Sequence, residues 1–191
     1  MNIVLFGAPG AGKGAQAERI SSMYGMVHLS TGEMLRSAIS SGSDLGARAK
    51  ETIDQGELVS DDVIVKIVDT RMDEDDCEKG VILDGFPRTV SQAEALDEIL
   101  AGKGQGLDHV IEIEVNESVL FARIANRASE RRRTGTARSD DNAETLRKRL
   151  AVYHENTAPL LPYYLEKGVL RSVDGMASVE NVAIQIDNLL G

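Results

Sequence analysis

Short apolar runs alternate with amphipathic stretches along the whole chain. The first run is Ile3-Val4-Leu5-Phe6, and four later segments resemble it: Val27-His28-Leu29, Val81-Ile82-Leu83, Val110 through Val115, and Val169-Leu170 running on to Val173. Helical spacing fills the intervals, and the alternation predicts a parallel sheet covered by helices on both faces. Helix starts are marked at Ser30-x-x-Glu33, Ser91-x-x-Glu94 and Asp141-x-x-Glu144, each a capping residue followed three positions later by Glu. Helix ends are expected at Tyr24-Gly25 and Lys167-Gly168, where glycine closes the last turn. In the first helix Ala17, Ile20 and Met23 form the apolar stripe, and in the last Val179, Val182, Ile186 and Leu189 are expected to pack on the sheet.

Two stretches break the alternation. Residues from about 30 to 59 predict two or three short helices with no strand between them, interrupted at Ser40-Ser41-Gly42-Ser43 and Gln55-Gly56. Residues 129 to 141 are rich in Arg, Thr, Gly and Asp and cannot bury a core, which predicts a mobile polar flap.

Length and charge narrow the function classes. The 191 residues suit one compact α/β domain with small inserts. No apolar run approaches the ~20 residues that cross a bilayer, and Met1 to Phe6 has the character of a buried strand rather than a leader, so the expected location is the cytoplasm and no membrane partner is expected. The single cysteine, Cys77, allows neither an internal disulfide nor a Cys-rich zinc site. A net charge of -10 disfavours nucleic acid as a partner. Against that acidic background Arg123, Arg127, Arg131, Arg132, Arg133, Arg138, Arg147 and Arg149 crowd one stretch, either as a solvated helix face or as a local phosphate site.

The chemistry is concentrated in two motifs. Gly7-Ala8-Pro9-Gly10-Ala11-Gly12-Lys13 follows the first strand and opens a helix. In that context glycines let backbone N–H groups converge on phosphate oxygens, the helix N-terminus adds partial positive charge, and Lys13 supplies a full one. Gly14 stands where such loops usually carry a hydroxyl for Mg²⁺, so the metal must be held elsewhere. Asp84, at the end of the Val81-Ile82-Leu83 strand, is the candidate, acting through water; its alternative is a turn aspartate before Gly85. Arg88 and Arg36 can each fork onto a phosphate, though either alone fits a surface ion pair. Thr31 can serve as a helix cap, and Gln92 can close a box with Thr89.

Together these blocks resemble the adenylate kinase family: GAPGAGKG at residues 7–14, STGEMLR at 30–36, DGFPRTVSQ at 84–92, and RSDD followed by RKRL at 138–150. The resemblance spans nearly the whole chain and implies a P-loop α/β fold with a five-stranded parallel sheet. It implies a core of residues 1–29, 60–125 and 138–191, an AMP-binding insert at 30–59, and a lid of the short form at 126–137 that lacks a zinc-binding insertion. The implied reaction is ATP + AMP = 2 ADP with Mg²⁺, by a monomer.

By the same resemblance, Gly10, Ala11, Gly12, Lys13, Gly14 and Ala15 wrap the ATP phosphates. Thr31, Arg36, Glu57, Leu58, Val59, Gly85, Phe86, Pro87, Arg88 and Gln92 line the AMP site. Arg127 sits on the ATP side of the lid, Arg123 is another phosphate-side arginine, Arg138 and Arg149 face the transferring group and AMP, and Ala177 touches adenine. Asp140 and Asp141 are expected to pair with lid arginines in the closed form, with a helix cap as the alternative for Asp141. The implied catalytic set is Lys13, Asp84, Arg88, Arg123, Arg138 and Arg149. One departure stands out: the family carries Thr after GKG, and here the residue is Ala15. Two other readings remain, a UMP/CMP kinase and a nucleotide sensor that closes on ATP without reacting. Thr89 and Gln92 favour AMP over the pyrimidine nucleotides.

Overall fold

The computed structural model describes the backbone of residues 1–191 and every side chain except those at positions 45 and 48. Five parallel strands form one sheet in the order β2-β3-β1-β4-β5, with β1 Ile3–Phe6, β2 Val27–Ser30, β3 Val81–Asp84, β4 His109–Glu114 and β5 Leu170–Asp174. β1 is central because all four of its residues are apolar and buried, so it tolerates helices on both sides. Its residues alternate between two cores. Val4 and Phe6 join Leu83 and Val110 beneath α4 (Asp61–Met72), α5 (Val90–Gly102) and α8 (Leu160–Glu166). Ile3 and Leu5 join Ile82, Ile111 and Val173 beneath α1 (Lys13–Tyr24) and α9 (Val179–Leu190).

The region from 30 to 59 holds two helices and no strand, α2 Thr31–Ser40 and α3 Asp44–Gln55, packed on each other. Residues 126–133 are the last two turns of α6 (Leu120–Arg133), and residues 134–142 run without helix or strand to α7 (Ala143–Val152). A third small core of Ala8, Leu120, Ile124, Leu146 and Leu150 ties α6 and α7 to the loop after β1. From α7 the chain passes through a π-helical turn, Tyr153–Thr157, into α8.

Some expected details are displaced. The caps of α5 and α7 are Thr89 and Asn142 rather than Ser91 and Asp141, accepting hydrogen bonds from Gln92 N at 3.2 Å and Thr145 N at 2.9 Å. Asp141 is drawn away because its carboxylate is buried against arginine. In the terminal helices, Met23 is 58% exposed and Val179 63% exposed, so neither belongs to the core. Val179 is the first helical residue after the Ser178 cap, and Val182 and Ile186 carry the packing on the sheet. Gly25 and Gly168 close their helices in the left-handed region as expected.

Candidate active site

The carboxyl ends of β1, β2 and β3 meet on one edge of the sheet, where parallel α/β folds place their ligands. The loop after β1 runs hard against β4: a side chain at Gly7 would begin 2.8 Å from the Ile113 carbonyl oxygen, at a φ of +136° that only glycine adopts readily. α1 begins directly behind this loop, so the N–H groups of Lys13, Gly14 and Ala15 have no partner within the helix, the setting in which a helix start binds an anion. Lys13 Nζ donates to the carbonyls of Gly7 at 2.7 Å and Ala8 at 3.0 Å. Burial pulls its pKa down to about 8; Asp84 opposes the shift, and Arg88, Arg127 and Arg149 add to it. A cation held below its normal pKa by desolvation and by other cations is a site prepared for an anion.

Asp84 ends β3 with its carboxylate facing Gly14, so a Cβ there would lie 3.7 Å from Asp84 Oδ2. His28, the second residue of β2, brings Nε2 to 3.5 Å from the same oxygen. Burial alone raises the Asp84 pKa, but His28 and Lys13 outweigh it and hold the carboxyl below its usual range.

Opposite these groups stand the arginines. Arg88 is anchored by its own loop, Nε donating to the Gly85 carbonyl at 2.8 Å, with the Phe86–Pro87 peptide cis. Gly85, at a φ of +79°, passes so close that a Cβ would sit 2.9 Å from Arg88 Nη2. Arg149 pairs with the buried Asp140, which also lies 4.0 Å from Arg36 Nη1. Arg127 forks onto Asp141, itself 5% exposed, with Arg131 3.9 Å from the same carboxylate. Arg138 donates to Glu33 of α2 at 3.1 Å. Burial lowers the pKa of Arg36 to about 10 and moves Arg88 and Arg138 in the same direction, with neighbouring guanidinium groups contributing. Positive charge is therefore in excess here despite the acidic chain.

Apart from the buried Asp140 and Asp141, these groups line one cavity of about 720 Å³, which takes in Gly10, Gly12, Lys13, Gly14, Ala15, Arg36, Leu58, Asp84, Gly85, Pro87, Arg88, Arg123, Arg127, Arg138 and Arg149. A narrow side pocket adjoins it through Arg88 and Arg149 and adds Thr31, Glu57, Val59 and Gln92. That pocket measures about 40 Å³, space for very few waters. Three expected residues line neither: Ala11 is buried under the loop, Phe86 is in the core, and Ala177 packs against the α1–α9 side. Arg123 lines the large cavity, yet its guanidinium is tied to the carbonyls of Ala11 at 3.3 Å and Gly175 at 2.8 Å, so it braces the loop from behind. Sequence reasoning passed over His28 and Glu33, which line the cavity, and Asp61, which holds Gln92. His28 read as a strand residue and Glu33 as the acid of a capping box, while Asp61 drew no reading because nothing beside it in sequence marks it.

The chain matches the family model "Adenylate kinase" over residues 5–169. It is 54% identical to an adenylate kinase of Parvibaculum lavamentivorans, with 100% of this chain and 92% of that one aligned. It is 52% identical to the adenylate kinase of Caulobacter sp. strain K31, over 100% of this chain and 98% of the relative. With the adenylate kinase of Agrobacterium fabrum it shares 52% identity over 100% of this chain and 97% of that one. Given this likeness along the full length, and a site that gathers the glycine loop, Asp84 and the arginines into one cavity, the chain belongs to the adenylate kinase family.

Proposed function

We propose that the cavity binds Mg·ATP and AMP with their phosphates facing one another and transfers the γ-phosphoryl group reversibly, giving two ADP. The observation that carries this reading is the convergence of Lys13, Arg88, Arg127, Arg138 and Arg149 on one 720 Å³ cavity that also contains Asp84. Phosphoryl transfer needs no covalent enzyme intermediate; it needs the two reacting oxygens in line and the charge on the moving group neutralised. In this reading the α1 N-terminus and Lys13 hold the ATP phosphates, Arg36 and Arg88 grip the AMP phosphate, and Arg138 and Arg149 sit over the group in transit.

The donor set fits Mg²⁺ held mostly by nucleotide oxygens and water. Asp84 is a single carboxylate kept ionised, and among the described residues no group of three metal-ligating acids, histidines or cysteines occurs. When bound, the ion neutralises phosphate charge, and Asp84 is the residue that would order its water shell.

Helices α2 and α3 serve as the AMP-binding insert and residues 126–137 as the lid, with the rest as the core. The 40 Å³ side pocket supports movement, since a base enters only if the insert swings outward. Closure then excludes water, the competing nucleophile. The enzyme is taken to work as a monomer in the cytoplasm, and the net charge of -10 supports copies that repel one another. Measuring ADP formed from ATP plus AMP, beside UMP and CMP, tests the reading. Rapid turnover with AMP supports it; preference for UMP or CMP makes this a pyrimidine nucleotide kinase, and binding without turnover makes it a sensor.

A further inference from the structure

Gln92 lines the side pocket and belongs to a polar arrangement behind it that phosphoryl transfer does not use. Gln92 Oε1 accepts from the Arg88 backbone N–H at 2.7 Å, and Gln92 Nε2 donates to Asp61 Oδ1 at 2.6 Å. The other Asp61 oxygen accepts from the Thr89 hydroxyl at 2.9 Å, and that hydroxyl in turn accepts from Gln92 N at 3.2 Å. We infer that Asp61 locks the Gln92 amide in one orientation, and that this lock makes the monophosphate site choose adenine over a purine with the reversed hydrogen-bonding edge. The inference rests on the proposed AMP site, in which the base enters the side pocket that Gln92 lines.

A terminal amide has two orientations of nearly equal shape, so its selectivity depends on what surrounds it. Here both partners have a single role. A backbone N–H only donates, and a carboxylate only accepts. Flipping the amide would set N–H against N–H and oxygen against carboxylate, and Gln92 is 1% exposed, so water could not satisfy the stranded groups. The locked amide retains one N–H and one lone pair for the pocket, in fixed order. Adenine presents an acceptor at N1 beside a donor at its 6-amino group, matching that order. Hypoxanthine presents a donor at N1 beside an acceptor at O6, the reverse, with the same ring size. Rejection by mispaired buried groups is stronger than rejection by shape alone. Cytosine repeats adenine's order and is not rejected by this device.

Asp61 is the first residue of α4, just beyond the insert, so the lock is anchored in the core and persists when the insert moves. It touches no reacting group, which makes it a positioning residue acting through Gln92.

The test compares kcat/KM for AMP and IMP in the unmodified enzyme, Asp61→Asn and Gln92→Ala. Asparagine can accept from Gln92 or donate to it, so Asp61→Asn removes one of the two constraints on the flip. The expected result is a fall of at least about tenfold in the AMP/IMP ratio, with KM for ATP unchanged and kcat/KM for IMP rising in absolute terms. Loosened folding produces no such rise. An Asp61→Asn enzyme that loses activity equally on both nucleotides, or on neither, overturns the lock. If Gln92→Ala leaves the ratio unchanged, the base-contact reading itself fails; if Gln92→Ala lowers it and Asp61→Asn does not, only the role of Asp61 fails. Should Asp61→Asn not fold, Thr89→Val keeps Asp61 but releases one of its two holds. A smaller fall of the same sign is then expected, and an unchanged ratio overturns the inference.

Discussion

Arg138 donates to Glu33 across 3.1 Å, joining the segment after α6 to the first helix of the insert. Glu33 is 57% exposed at its side chain and Arg138 15%, so the pair is worth about 0.2–1 kcal/mol. Without nucleotide, Glu33 therefore competes with phosphate for Arg138. Glu33→Gln is expected to lower KM for the nucleotides by up to about fivefold, by the same range of energies. Steady-state kinetics at low salt checks this, and an unchanged or raised KM removes Glu33 from the account.

Arg138 and Arg88 differ in how they are held, and their alanine variants should differ accordingly. Both are expected to lower kcat by about 10²–10³, the loss typical of one group aimed at developing charge. Arg138→Ala should leave the unfolding midpoint close to normal. Arg88→Ala also loses the Nε bond to Gly85, so a modest destabilisation of about 1 kcal/mol is expected with it. Near-normal turnover in both variants would remove the arginine chamber as the source of catalysis.

Ala15 lies exposed in the first turn of α1 and lines the large cavity. A threonine there has room for its hydroxyl, and one hydrogen bond to a charged phosphate is worth about 1.5–3 kcal/mol. Ala15→Thr is therefore expected to tighten ATP and raise turnover by about tenfold or more while KM for AMP changes little. If turnover and ATP affinity both stay the same, the backbone N–H groups at this turn already satisfy the phosphates alone.

The glycine loop and the run from Asp84 to Arg88 were legible because each is contiguous: a strand, a turn and the charged residue that leaves it lie within a few positions. The sheet was legible because buried parallel strands are short apolar runs. What escaped depends on distant partners. That Asp140 and Asp141 pair with arginines was expected, but nothing local says that one binds Arg149 of α7 and the other Arg127, or that their burial leaves Asn142 to cap α7. Asp61 carries no local mark either, since its partners Thr89 and Gln92 come from another helix start. Met23 and Val179 kept helical spacing but fell at helix ends, where the sheet no longer covers the stripe. Arg123 stayed with the phosphate-side arginines because its two carbonyl partners, Ala11 and Gly175, lie far away in sequence.

Lys13 gives the pH dependence a definite sign. Its pKa falls from 10.5 to about 8 in the folded chain, chiefly through burial. Between those values the unfolded chain binds a proton that the folded chain has released. Stability of the nucleotide-free protein therefore rises with pH across that window, and the contribution is lost as pH falls through 8. Denaturant unfolding from about pH 7.5 to pH 10 should show that rise relative to Lys13→Met, in which it is absent. A phosphate bound at Lys13 restores the charge, so at a pH above 8 inorganic triphosphate should bind with uptake of a proton. Calorimetry in buffers of different ionisation enthalpy reads that uptake directly. Equal slopes for the two proteins, together with binding that takes up no proton, would mean that Lys13 is charged throughout and that burial in the glycine loop does not tune it for phosphate.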